Sequence, residues 1–143
     1  MNVGSLLTRS AKTFPDHLAI ARGSHQLTYA QFNARANQLA NVLQERQGKR
    51  GTNVGLLMYN SVEMLEAMFA CFKAGFAALP INFRLHPNEF AFIIDHAQAE
   101  AVIVSPEFNE TILEIRDKIP NVRHIVSVSE ATGKLIDYEA MLS

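Results

Sequence analysis

Three kinds of side chain in this sequence could carry chemistry: five histidines, one cysteine, and polar groups where apolar runs end. His17, His25, His86, His96 and His124 would suit proton transfer or metal ligation if two of them shared a helical face. No pair has the i,i+4 spacing, and each falls at the end of an expected element, where solvated or helix-capping roles suit an imidazole. Cys71 is single, which excludes an internal disulfide and a cysteine-based zinc site. Its apolar neighbours make it a small hydrophobe rather than a reactive thiol. Ser5, Ser24, Ser61 and Ser105 lack the context of a nucleophile elbow, and Ser61 sits near an expected helix start. Met58, Met64 and Met68 read as core filler. Gly48–Lys49 resembles the end of a phosphate loop, but position 43 is Leu where that spacing requires Gly.

These groups have to be positioned by elements that the hydrophobic pattern defines. Val3, Leu6, Leu7 and Phe14 predict a first helix face, stopped at Phe14–Pro15. His17–Ala21 and Gln26–Thr28 predict a hairpin around Arg22–His25. Thr28 and Gln31 have capping-box spacing ahead of a long helix whose buried stripe is Tyr29, Phe32, Leu39 and Leu43. Asn33, Arg35, Gln38 and Gln44 are expected on its wet face, and Gln47–Gly48 at its end. Val54–Met58 is an unbroken apolar run, as in a strand covered on both faces. Asn60 and Glu63 are read as the cap of a helix from Ser61 to Ala74 that is apolar nearly all round and is closed by Gly75 in a left-handed conformation. Ala77–Leu79 predicts a strand, and Pro87 the first turn of a helix with inner face Phe90, Ile93, Ile94 and Ala97. Ala101–Val104 and Ile125–Val128 predict further buried strands. Between them Phe108, Ile112, Ile115 and Ile119 predict a helix carrying a Glu114–Lys118 pair, and Asp137–Leu142 predicts a final helical turn. Helix and strand alternate with short connections. This implies an α/β fold: a mostly parallel sheet with helices on both faces and a short N-terminal β-hairpin.

Such a sheet binds ligands beyond the carboxyl ends of its strands. Those ends are Met58–Tyr59–Asn60, Pro80–Ile81–Asn82 and Ser105–Pro106. None turns through glycines into a helix, so there is no dinucleotide fingerprint. A phospho-acceptor receiver domain would need acidic residues there to hold a metal, and Tyr59, Asn60 and Ser105 do not supply them.

Composition sets outer bounds. The chain has 143 residues, 13 basic and 14 acidic, with a net charge of −1, and 48% of it is hydrophobic. That fits one globular unit, with no basic stripe for nucleic acid; Lys49–Arg50 is too short to form one. No apolar run is long enough to span a membrane, and Met1–Lys12 lacks the features of a secretory signal, so a cytoplasmic location is expected.

Two segments point to a family. Leu27–Phe32 with Ala36–Ala40 resembles the first core motif of the adenylate-forming superfamily, and Phe72–Asn82 resembles the second. Val54–Leu57, Asn60–Glu63, Pro87–Phe90 and Ala101–Val104 keep the register between and beyond them. Asn82–Phe83–Arg84–Leu85 ahead of Pro87 is similar to the fatty-acid and aryl acyl-CoA ligases, rather than to the aspartate–proline of amino-acid adenylation domains. His86 departs from the usual Thr or Ser and is expected to weaken the cap of the helix at Pro87.

The resemblance implies an AMP-forming acyl-CoA synthetase, which joins a carboxylate to CoA using ATP and Mg²⁺ and releases AMP and pyrophosphate. It also implies that residues 1–143 are the N-terminal subdomain of the AMP-binding domain, with the phosphate-loop region and C-terminal domain absent. On this reading the chain is an inactive fragment that holds no catalytic residue, metal or cofactor of its own, and its principal partner is the remainder of the polypeptide. Asn82, Phe83 and Arg84 are the cofactor-binding candidates, in the loop near which CoA approaches, unless Arg84 pairs with a carboxylate of the remainder. Two other readings stay open: part of an amino-acid adenylation enzyme, or a stand-alone interaction module that associates through an exposed apolar face, including with itself.

Overall fold

Three short runs of branched apolar residues, β3 (Asn53–Leu57), β5 (Ala101–Val104) and β6 (His124–Ser127), form the middle of one sheet. The computed structural model describes residues 2–47, 49–128 and 135–142. β4 (Ala77–Pro80) and the two-residue β7 (Ile136–Asp137) complete a five-stranded sheet in the order β4-β3-β5-β6-β7, with every neighbouring pair parallel. The antiparallel hairpin of β1 (Leu18–Arg22) and β2 (His25–Thr28) stands apart from it.

The alternation of side chains along each strand divides the core in two. Val54, Leu56, Ile103 and Val126 face α2 (Tyr29–Gln47), α3 (Val62–Ala74) and α6 (Tyr138–Leu142). Leu57, Val102, Val104 and Ile125 face α4 (Pro87–His96) and α5 (Asn109–Glu114). Helices thus cover both faces, which is why the central strands carry no polar alternation. A third cluster joins α1 (Gly4–Thr13) and the hairpin to α2 and α3 through Leu7, Ile20, Leu27, Phe32 and Val62.

Local chemistry explains most boundaries. Thr28 and Gln31 exchange the expected pair of bonds, 2.9 and 3.2 Å long, at the start of α2. Gly75 ends α3 at φ +79°, a conformation that only glycine adopts without strain.

Several expectations are corrected. Ser61, not Asn60, caps α3: its hydroxyl accepts the Met64 N–H at 3.1 Å. α3 is also not apolar all round, since Leu65 is exposed while the carboxylate of Glu66 is fully buried. Arg35 is not on a wet face; it turns inward to meet Glu66. His86 does not weaken the start of α4. Its Nδ1 accepts the Asn88 N–H at 3.1 Å, and Glu89 reaches back to the His86 N–H, so the imidazole stands in for a hydroxyl. On α1 only Leu7 of the expected apolar face is buried, and Val3, Leu6 and Phe14 stay exposed because so short a helix meets its neighbours along one narrow line.

β4 is a half-exposed edge strand rather than a covered one. The helix expected through Ile119 breaks at Ile115. The Arg116 guanidinium donates to the carbonyls of Ile119 and Val122 and gathers the chain into a 3-10 turn, and Lys118 donates to Asn88 instead of pairing with Glu114. The expected helix end at Gly48 lies outside the described residues.

Candidate functional site at the strand carboxyl ends

The chain leaves β3 for β4 on one side, then crosses back to β5 on the other. This reversal opens a crevice between the carboxyl ends of β3 and β5, the usual ligand position in a parallel sheet. Ser105, nearly buried, bridges it by accepting the Tyr59 N–H on its hydroxyl at 2.9 Å. Tyr59 itself is 40% exposed. Phe83 meets the Tyr59 ring edge-on with centroids 4.7 Å apart, and Phe108 lies 5.2 Å from it, tilted. Phe90 meets Phe108 edge-on with centroids 6.0 Å apart. The result is an aromatic ledge drawn from three connections of the sheet.

The three residues singled out from the sequence sit together at the outer end of this ledge. The side chain of Asn82 accepts the Arg84 N–H at 3.0 Å while its carbonyl accepts the Leu85 N–H at 3.2 Å, folding the loop into a tight turn. Phe83 points in toward Tyr59, and Arg84 stays exposed with its guanidinium 5.8 Å from the Phe83 ring centroid. Among the described residues, no carboxylate lies within ion-pair distance of Arg84. Tyr59 and Phe108 were not singled out from the sequence as ledge residues. Their signal was an aromatic residue just beyond a strand end, which a search for acids and glycines passes over.

Beside the ledge, a cavity of about 270 Å³ runs between the hairpin and the start of α3, lined by Ile20, Arg22, Asn60 and Leu65 among others. Arg22 donates to the Asn60 carbonyl and so ties the hairpin to the end of β3.

Among the described residues no three His, Cys, Asp or Glu side chains gather as a metal site. The groups whose ionisation is displaced lie elsewhere. Burial pushes the Cys71 thiol up to about 12. His124, at the opposite end of β6, is lowered by burial and by the charges of Arg46 and Arg123. Between the helices, Arg35 donates to both Glu66 and Glu139, and the buried Tyr138 hydroxyl donates to Glu66 at 2.9 Å. Those bonds hold Arg35 charged, while burial first and Glu66 second hold Tyr138 neutral. This network fastens α6 to α2 and α3.

Known proteins resemble this chain in sequence and in fold. A family model described as AMP-binding enzyme matches residues 7–140. A 3-oxocholest-4-en-26-oate–CoA ligase of Rhodococcus rhodochrous is 30% identical over 140 residues, covering 98% of this chain and 25% of its own length. A linear gramicidin synthase of Brevibacillus parabrevis is 39% identical over 101 residues, covering 71% of this chain and 1% of its own. The crystal structure of an anthranilate CoA ligase with anthranoyl-AMP superposes with a TM-score of 0.94 at 29% identity, over 99% of this chain and 28% of that one. The chain therefore spans about a quarter of the length of the curated CoA ligase it matches.

Proposed function

The chain belongs to the AMP-binding enzyme family, and we propose that it forms the N-terminal part of an acyl-CoA ligase that converts a carboxylate, ATP and CoA to acyl-CoA, AMP and pyrophosphate. The observation that carries this reading is the continuous match of nearly the whole chain to a quarter of the length of a CoA ligase, with the fold kept in an anthranilate CoA ligase at a TM-score of 0.94. The carboxylate is a poor electrophile, and adenylation gives it a good leaving group before the CoA thiol attacks.

The residues present do not fit ATP or Mg²⁺ by themselves. The strand ends carry neutral Tyr59, Asn60, Asn82 and Ser105, and no acidic cluster stands among the described residues. No step of the adenylation is assigned to these side chains; the 143 residues supply scaffold. They fit part of CoA better. Arg84 offers a guanidinium to a phosphate, and the ledge of Phe83 and Tyr59 offers aromatic surface to the groups that follow it. Asn82 would keep the loop in the turn that presents Arg84.

The test is a chimera in which residues 1–143 replace the matching segment of a full-length acyl-CoA ligase, beside the 143-residue protein. The chimera forms acyl-CoA, and the isolated chain gives no ATP–pyrophosphate exchange. In the chimera, Arg84→Ala raises KM for CoA about tenfold, the loss of one charge-assisted hydrogen bond, and leaves ATP–pyrophosphate exchange unchanged. Exchange by the 143 residues alone would overturn the reading.

The 39% identity to the gramicidin synthase supports a second reading, in which the activated carboxylate is an amino acid. Loss of CoA dependence in the chimera would favour it.

A further inference from the structure

The cavity of about 270 Å³ between the hairpin and the start of α3 does not stand alone. Another, of about 280 Å³, opens between α1, the hairpin and the next turns of α3, with Leu6, Tyr29, Phe32 and Phe69 in its wall. Ile20 and Leu65 wall both, so the two follow one another along the seam where the hairpin meets α3. The seam is open to solvent, with Leu65 40% and Leu6 46% exposed in it. Of the described side chains that line the two cavities, only that of Arg22 is charged, and it lines the first cavity alone. Its guanidinium donates to the Asn60 carbonyl and makes no other hydrogen bond among the described residues. No carboxylate among them stands within ion-pair distance of it. The seam is therefore apolar along its length and positive at one end.

We propose that this seam binds a fatty acid, its carboxylate meeting Arg22 and its alkyl chain crossing Leu65 toward Leu6 and Phe69. The charge selects the head group. With one nitrogen engaged by Asn60, the guanidinium still has donors for both oxygens of a carboxylate. The lining selects the tail. Methylenes laid along Ile20, Leu65 and Phe69 leave water and cover apolar surface that the protein itself leaves open. Two cavities in line suit a long single chain better than a compact ring system, and a lone cation suits a carboxylate better than the several charges of a polyphosphate. None of Tyr59, Phe83 and Arg84 lines the seam, so the proposal does not rest on the CoA reading of the ledge. Nor does it need turnover, since binding alone is measured.

Laurate is titrated into the 143-residue protein below its micelle concentration, and binding is followed by calorimetry. One molecule binds per chain, and hexanoate and dodecanol, which lack the long tail and the charge respectively, bind several-fold more weakly. Arg22→Gln weakens laurate about tenfold, the loss of a charge-assisted contact. It leaves dodecanol unchanged, and Arg22→Lys recovers part of the laurate affinity. Leu65→Glu abolishes laurate binding, whereas Phe92→Glu, the same kind of change at an exposed residue of α4, does not alter it. Circular dichroism establishes that each variant is folded. Equal affinities for laurate and dodecanol, or a laurate affinity indifferent to Arg22→Gln or Leu65→Glu, overturns the proposal. So does a dimer in sedimentation equilibrium that Leu65→Glu dissociates, because a second copy would then fill the seam. In the chimera, Leu65→Cys reacts with a maleimide and is shielded by laurate, while the buried Cys71 stays silent. Shielding without laurate would give the seam to the rest of the polypeptide and overturn the proposal as well.

Discussion

Glu66 has no contact with solvent, and there Arg35 meets it with two nitrogens and Tyr138 with a hydroxyl. Removing one member of a buried ion pair leaves the other uncompensated, so Arg35→Ala, which strands the buried Glu66 carboxylate, is expected to cost about 3–5 kcal/mol. Tyr138→Phe deletes only one donor and is expected to cost about 1–2 kcal/mol. Urea denaturation gives both values as shifts in midpoint at constant slope. Cys71 offers an independent probe. With its thiol pushed up to about 12 by burial, it is expected to resist iodoacetamide at pH 8 in the folded chain and to react at the rate of unfolding, which labelling against urea concentration measures. At this scale the sequence was legible where a side chain serves its own helix, as at Thr28, Gln31 and Gly75. It was not legible at Glu66 and Arg35, because their pairing joins residues 31 positions apart and no local pattern marks it.

Each helix is placed by a contact that its own sequence only partly announces. α1 rests on α3 because Gly4 has no side chain, and the loop before β3 folds over Gly75, whose carbonyl accepts the Gly51 N–H at 2.8 Å. Gly75→Ala forces a left-handed conformation on a residue with a Cβ and sets that Cβ 3.2 Å from the stem of Arg50. A loss of about 1–3 kcal/mol is expected, read as a lower midpoint of thermal unfolding with secondary structure unchanged. The buried strands β3, β5 and β6 were evident as unbroken apolar runs. The two-residue β7 was not, because its pairing with β6 comes from tertiary position rather than from any run of strand-forming residues. The stripe from Phe108 to Ile119 was equally misleading as a single helix. Its isoleucines are all buried, but the backbone reaches that burial through two 3-10 turns and a short helix.

For the molecule as a whole, the parallel sheet with helices on both faces followed from hydrophobic pattern and connection length, and the two apolar clusters on either side of it explain why. The candidate site was legible only in part. Asn82–Arg84 were candidates only through the family resemblance of their loop, whereas the ledge beside them is made by Tyr59 and Phe108, brought in from two other connections. The strand order also governs how the chain can be put together as it is made. β3 is the earliest strand of the main sheet to be translated, and β4 and then β5 flank it, with β6 and β7 added outward on one side. Each arriving strand thus finds its neighbour already in place and never has to slip between two that have paired. The exception is α2, whose Leu39 and Leu43 face a layer containing α3 and strands that follow it along the chain. A ribosome-bound chain ending before Ala74 would therefore leave that stripe uncovered, and it is during this interval of synthesis that a chaperone binding apolar segments has most to hold.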